Sequence, residues 1–80
     1  MNKDKVITKF LIELFELAEE QDIPLKADLT EYGLDSIKAI QLVVNLENYY
    51  SIMIDEDDLL LENLCSIEKI INVVDKYLGR

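Results

Sequence analysis

The feature that most constrains this chain is a recurrence of apolar residues at three- and four-residue steps in three separate segments, with no sustained alternation between them. From Asp4 to Glu20 the residues Ile7, Phe10, Leu11, Leu14, Phe15 and Ala18 keep this spacing, which predicts an amphipathic helix that buries one face. It is expected to stop near Gln21-Asp22-Ile23-Pro24, because proline lacks the backbone N–H and turns the preceding residue away from helical geometry. A second helix is predicted over Ser36–Tyr50. A last one follows Ser66, repeating Ile67, Ile70, Ile71, Val74 and Leu78 before Gly79 closes it.

The connections are as informative as the helices. The stretch from Gln21 to Asp35 is long for a small helical domain, and its residues Ile23, Leu25, Leu29, Tyr32 and Leu34 are expected to tie it to the core. Ser36 is suited to cap the first turn of the second helix, with Asp35 beside it complementing the positive end of the helix dipole. Ser51-Ile52-Met53-Ile54-Asp55 alternates briefly but has no partner strand, so it reads as an extended loop. Asp55 and Asp58 resemble a capping pair that opens a short helix over Glu56–Leu61. With 80 residues in all, these elements make a single domain over 1–80 of the all-α class: a small bundle of three longer helices and one short one, with a long first loop.

Composition then excludes several classes of function. Eight basic residues against 17 acidic ones give a net charge of −9, the wrong sign for neutralising a phosphate backbone, so no nucleic-acid partner is expected. An acidic surface instead favours basic protein partners. The chain has one cysteine and no histidine, so it cannot assemble an internal disulfide, the usual zinc sets, or a Ser-His or Cys-His nucleophile pair. Autonomous catalysis is disfavoured, and Cys65 reads as a small buried apolar residue with no redox role. The acidic run Asp55-Glu56-Asp57-Asp58 lacks a calcium loop's glycine and glutamate, having Leu60 and Ser66 at those places. No metal site is expected. Glu13 and Glu16 interrupt the first apolar segment, unlike the core of a signal peptide, so the cytoplasm, no membrane insertion and a monomer are the expectations.

The second helix carries more apolar surface than a core contact requires. At 100° per residue, Ala39, Leu42, Val43, Leu46 and Tyr50 fall on one side, while Ile37, Ile40, Gln41, Val44, Glu47 and Asn48 fall on the other. Either neighbouring segments cover both sides, or the second stripe is left for a partner. That stripe adjoins Ser36.

Gly33-Leu34-Asp35-Ser36-Ile37, continued by Lys38-Ala39-Ile40-Gln41-Leu42, resembles the modification motif G-x-D-S-[LI] of acyl and peptidyl carrier proteins. The resemblance extends from about Ile7 to Leu78: a long helix and long loop precede the motif, an acidic turn Asp55-Glu56-Asp57-Asp58-Leu59 follows, and Leu64-Cys65-Ser66-Ile67 leads into the final helix. It implies that Ser36 carries a covalent 4′-phosphopantetheine arm, transferred from coenzyme A by a magnesium-dependent phosphopantetheinyl transferase that Asp35 helps to recognise the serine, with Gly33 and Leu34 presenting it. The chain itself is then not an enzyme. Further implied partners are an acyl- or aminoacyl-loading ligase or adenylation enzyme and downstream acyl-transfer or condensing enzymes. The expected docking surface comprises Ile37, Ile40, Gln41, Val44 and Glu47, helped by Glu56 and Asp57 of the acidic turn.

Within that family the second helix departs from the strongly acidic one of fatty-acid carriers: Lys38, Gln41, Asn45 and Asn48 dilute it, and Glu47 is its one acid after Ser36. Asp-Ser-Ile-Lys-Ala-Ile-Gln is closer to carriers of nonribosomal peptide and polyketide pathways, although Leu34 stands where many peptidyl carriers have a second glycine. The reading is a stand-alone carrier of a specialised pathway. The alternatives are a general fatty-acid carrier, an unmodified helical adaptor using the same stripe, and a calcium-binding regulator.

Overall fold

A computed structural model describes residues 3–18 and 22–79. Their regular elements are α1 (Lys3–Phe15), α2 (Ser36–Tyr50), the four-residue α3 (Leu61–Leu64) and α4 (Ile67–Leu78), with 3₁₀ turns at Leu29–Tyr32 and Glu56–Asp58. The architecture is the expected helical bundle of three longer helices and one short one, with no strand among the described residues. Ser51–Asp55 is indeed a loop.

Each long helix buries the stripe its periodicity marks out. Ile7 and Leu11 of α1 meet Leu42 and Leu46 of α2 and Ile67, Ile70 and Val74 of α4 in one apolar core, all essentially sealed from solvent. Burying a side chain of this size stabilises by about 1.5–3 kcal/mol relative to exposure, which is what holds so short a chain folded. Val6 and Val73 join the buried set, whereas Ala18 and Leu78 lie at the surface. The helix ends are satisfied locally. Ser66 Oγ accepts the Lys69 N–H at 3.2 Å, and Leu25 O accepts the Glu68 N–H at 3.0 Å, so α4 begins with its free donors engaged.

The first helix is shorter than its apolar pattern suggests. It ends at Phe15 because Glu16 turns left-handed (φ 56°) and the Leu17 N–H reaches back to Ile12 O at 2.9 Å, a closing bond across five residues that terminates a helix and folds Leu17 onto the core. Residues 19–20 of the expected helix, and Gln21 of the loop, lie outside the described residues.

The long loop is pinned rather than slack. The Leu29 N–H donates to Cys65 O at 2.7 Å, and Ile23, Leu29 and Leu34 are buried. Leu25 is the exception at 46% exposure, since its carbonyl serves α4 and its side chain turns outward. Beyond α2, the short helix expected over Glu56–Leu61 is replaced by a 3₁₀ turn followed by α3. Asp55 makes no side-chain cap bond, because the Asp58 N–H donates to Asp55 O at 3.0 Å instead, and the Asp58 carboxylate is drawn across to α4. Its Oδ2 accepts from the Tyr77 hydroxyl and from Lys76 Nζ at 2.9 Å. The α-helical turn therefore begins later, where it can bury Leu64. Cys65 is half-buried rather than buried, its thiol donating to Glu62 O at 3.5 Å.

Candidate functional site

The backbone that delivers Ser36 is built by two consecutive turns. Asp28 caps the 3₁₀ turn, its Oδ1 accepting the Thr30 N–H at 3.0 Å and hydroxyl at 2.6 Å, and these bonds hold its carboxyl below the usual carboxylate range. Gly33 ends that turn at φ 105°, a left-handed conformation that glycine adopts without strain. Its reversal lets the Leu34 N–H bond to Leu29 O at 3.1 Å and sends the Leu34 side chain into the core. Leu34 anchors the strand of loop that immediately precedes α2.

Asp35, rather than Ser36, caps α2. Its backbone is extended and its Oδ1 accepts the Lys38 N–H at 2.8 Å; the expectation that Ser36 caps is therefore corrected by one residue. The reason is competition between two adjacent capping side chains: with Ala39, Leu42, Val43 and Leu46 facing the core, the helix register leaves Asp35 outside the first turn and Ser36 within it. Ser36 is exposed, and its Oγ has no hydrogen-bond partner among the described residues.

The other hydroxyls provide the comparison. Thr8 donates to Asp4 O, Thr30 to Asp28, and Ser66 is buried with its Oγ used as a cap. Ser51 is exposed, but it sits in left-handed geometry at the C-terminal end of α2, where the helix dipole is negative. Ser36 alone of these serines and threonines combines an accessible, unengaged oxygen with a helix N-terminus, the end that favours phosphate.

Along α2 the second stripe is bare. Ile37, Ile40 and Val44 are 70%, 57% and 47% exposed, and Gln41 lies with them at the surface, so neighbouring segments do not cover this side. Glu47 differs: it is half-buried and its Oε2 accepts the Ile54 N–H at 2.8 Å, holding the loop after α2. Glu56 and Asp57 are exposed on the separate 3₁₀ turn.

Between α1 and α2 lies an open groove of about 430 Å³, with Phe10, Leu14, Ile40 and Val44 as its apolar lining and Glu13, Gln41 and Asn45 as its polar one. The contribution of α1 was not evident from the sequence, where Phe10 and Leu14 read simply as core. Only their partial burial shows that they also form a wall. At the end of α1, Lys38 Nζ stands 5.7 Å from the centre of the Phe15 ring, itself stacked with Tyr32, so the lysine of the motif is steered towards the loop rather than along the stripe.

A family model described as the phosphopantetheine attachment site matches residues 5–74. The chain belongs to this family. No curated protein matches the chain. The carrier therefore takes a covalent 4′-phosphopantetheine, whose thiol, when the group is bound, holds acyl groups as thioesters. Carrier domains of this kind work with a phosphopantetheinyl transferase and with biosynthetic enzymes, and are not themselves catalytic. No helix of the described residues is long and apolar enough to cross a membrane.

Proposed function

We propose that Ser36 is the attachment point, and that the protein is a stand-alone carrier holding acyl or aminoacyl intermediates of a specialised, nonribosomal-peptide- or polyketide-type pathway. The observation that carries the first half is the cap shift: Asp35 satisfies the helix end, so the Ser36 hydroxyl is free to react. In the attachment, Ser36 Oγ loses its proton to a base on the transferase and forms an O–P bond to the phosphopantetheine phosphate of coenzyme A. The bond from that phosphorus to the bridging pyrophosphate oxygen breaks, and adenosine 3′,5′-bisphosphate leaves. With no histidine in the chain, activation of the hydroxyl belongs to the transferase and its magnesium.

The carrier's own residues supply position. Gly33 and Leu34 fix the approach of the chain, Asp35 holds the first turn and offers a carboxylate for transferase recognition, and the exposed N-terminal end of α2 receives the phosphodiester charge favourably. Ile37, Ile40, Gln41 and Val44, with Glu56 and Asp57 at a distance, form the docking surface for basic, apolar-patched partners. Glu47 contributes to it chiefly by holding the loop that borders α2.

The pathway reading rests on the diluted charge of α2, where Lys38, Gln41, Asn45 and Asn48 stand among the apolar residues. Tandem mass spectrometry of the protein isolated from its cells tests attachment: the phosphopantetheine should lie on the peptide containing Ser36, and its location elsewhere would contradict the assignment. Offering the holo protein side by side to a fatty-acid-synthesis malonyl transferase and to carboxylate-adenylating enzymes tests the pathway. Preferential loading by the malonyl transferase would favour the fatty-acid alternative.

A further inference from the structure

Lys38 is the only basic residue between Lys26 and Lys69, and it stands two residues beyond the attachment point. Two such helical residues are about 3 Å apart along the axis and roughly 200° apart around it, so a lysine running outward on its own side would stay clear of anything borne by Ser36. Lys38 does not run that way. Its stem turns back towards the start of α2, and Nζ rests 5.7 Å from the centre of the Phe15 ring and 3.7 Å from where a Cβ on Gly33 would stand. Gly33 precedes Ser36 by three residues, so the ammonium lies beside the N-terminal end of α2, the end that carries the Ser36 hydroxyl.

The charges around this end are unbalanced. Lys3 is paired with Asp75 and Lys76 with Asp58, whereas Lys38 Nζ has no carboxylate within ion-pair distance and no hydrogen-bond acceptor among the described residues. Its one contact is the Phe15 face, a weak one for a cation that water can reach. A phosphodiester formed at Ser36 places a negative charge next to Asp35, whose carboxylate is fixed at the helix start by the Lys38 N–H at 2.8 Å, in a chain of net charge −9. The phosphate oxygens lack a cation, and the ammonium lacks an anion.

We propose that Lys38 is a phosphate-binding residue: its ammonium pairs with the phosphodiester that joins the arm to Ser36 and holds the root of the arm towards the Gly33 turn, clear of the exposed Ile37 and Ile40. The proposal rests on Ser36 being the attachment point. The flexible four-carbon stem lets Nζ leave the ring for a phosphate oxygen, and a charge-assisted bond there is the stronger contact. The arm then departs from the carrier in a set direction, leaving the stripe of α2 uncovered at its base.

The experiment uses full-length protein labelled with ¹³C-lysine, loaded from coenzyme A by a broad-specificity transferase, with complete loading read by intact mass. The ε-methylene resonance of Lys38, assigned by its loss in Lys38→Met, should move on loading, while those of Lys5, Lys9 and Lys26 stay in place. Nuclear Overhauser contacts should join the pantoyl methyl groups of the arm to Gly33 and Tyr32. In loaded Lys38→Met, which keeps the apolar stem over Phe15, those contacts should be lost and the ³¹P resonance displaced; Lys38→Arg should restore both. Complete loading with the Lys38 resonance unmoved, or pantoyl contacts to Ile37 and Ile40 in the parent, would overturn the proposal while leaving attachment intact. A Lys38→Met spectrum with unchanged ³¹P position and arm contacts would also overturn it. Absence of any mass gain, or a gain that persists in Ser36→Ala, would remove the attachment reading and this proposal with it.

Discussion

Asp35 Oδ1 accepts the backbone N–H of Lys38 at 2.8 Å, and this bond determines what the next residue can do. A cap at Asp35 places Ser36 in the first turn with its hydroxyl pointing to solvent and unengaged. Had Ser36 been the cap, its oxygen would be occupied as an acceptor, as that of Ser66 is at the start of α4.

The two serines should therefore separate stability from modification. Ser66→Ala is expected to lower unfolding free energy by about 1 kcal/mol, the usual cost of a lost cap, whereas Ser36→Ala should stay within about 0.5 kcal/mol of the parent, as surface changes do. Asp35→Ala should cost about 0.5–2 kcal/mol, with Asp35→Asn recovering most of it. Urea unfolding followed by circular dichroism measures all four.

Gly33→Ala isolates backbone strain. A Cβ there would meet only Lys38 Nζ at 3.7 Å, ordinary contact, so the cost comes from the left-handed conformation, about 1–2 kcal/mol. Because Gly33 directs the approach to α2, the transferase should also modify the variant more slowly. Parallel unfolding curves and loading time courses at a temperature where both proteins are folded would show the two effects.

The legibility of the fold differs from element to element for physical reasons. The bounds of α2 and α4 could be read because periodicity marks both helices, and at α4 the expected cap Ser66 agrees with it. The end of α1 could not, since Glu16 adopts a left-handed conformation with no glycine to announce it, stabilised by the Leu17 to Ile12 bond. Likewise Asp58 is taken by Tyr77 and Lys76, 19 and 18 residues away, and local pattern is blind to that. In the site, the motif residues and the bare stripe were legible. Which of two adjacent capping residues caps was not, nor was the wall that α1 lends to the groove.

Ile40 and Glu47 should respond differently to substitution. Ile40→Asp or Val44→Asp is expected to leave helicity and stability nearly unchanged while slowing transfer to and from cognate enzymes; unchanged transfer kinetics would remove these residues from the docking surface. Glu47→Ala should destabilise by about 1.5–3 kcal/mol, the range for a hydrogen bond to a charged group. Leu42→Ala and Leu46→Ala, which leave cavities in the core, should each cost about 2–5 kcal/mol.

The Tyr77 clasp predicts a pH dependence at the alkaline end. Its hydrogen bond to Asp58, followed by burial, raises the phenol above its ordinary value. A group whose folded pKa is raised stabilises fully below the unfolded value, about 10 for tyrosine, and loses that contribution as pH rises through the folded value. Thermal melts from pH 8 upwards should show the parent losing stability more steeply than Tyr77→Phe, with the two curves converging at the highest pH.

The central claim, that the free hydroxyl at the start of α2 bears the arm, is tested most directly by intact mass before and after incubation with coenzyme A, magnesium and a broad-specificity phosphopantetheinyl transferase. Parent, Ser36→Ala and Ser51→Ala are run together with a carrier known to be modified. The account predicts a gain of one phosphopantetheine in the parent and in Ser51→Ala, and none in Ser36→Ala. A gain that survives in Ser36→Ala, or no gain in the parent while the control carrier is modified, would contradict it.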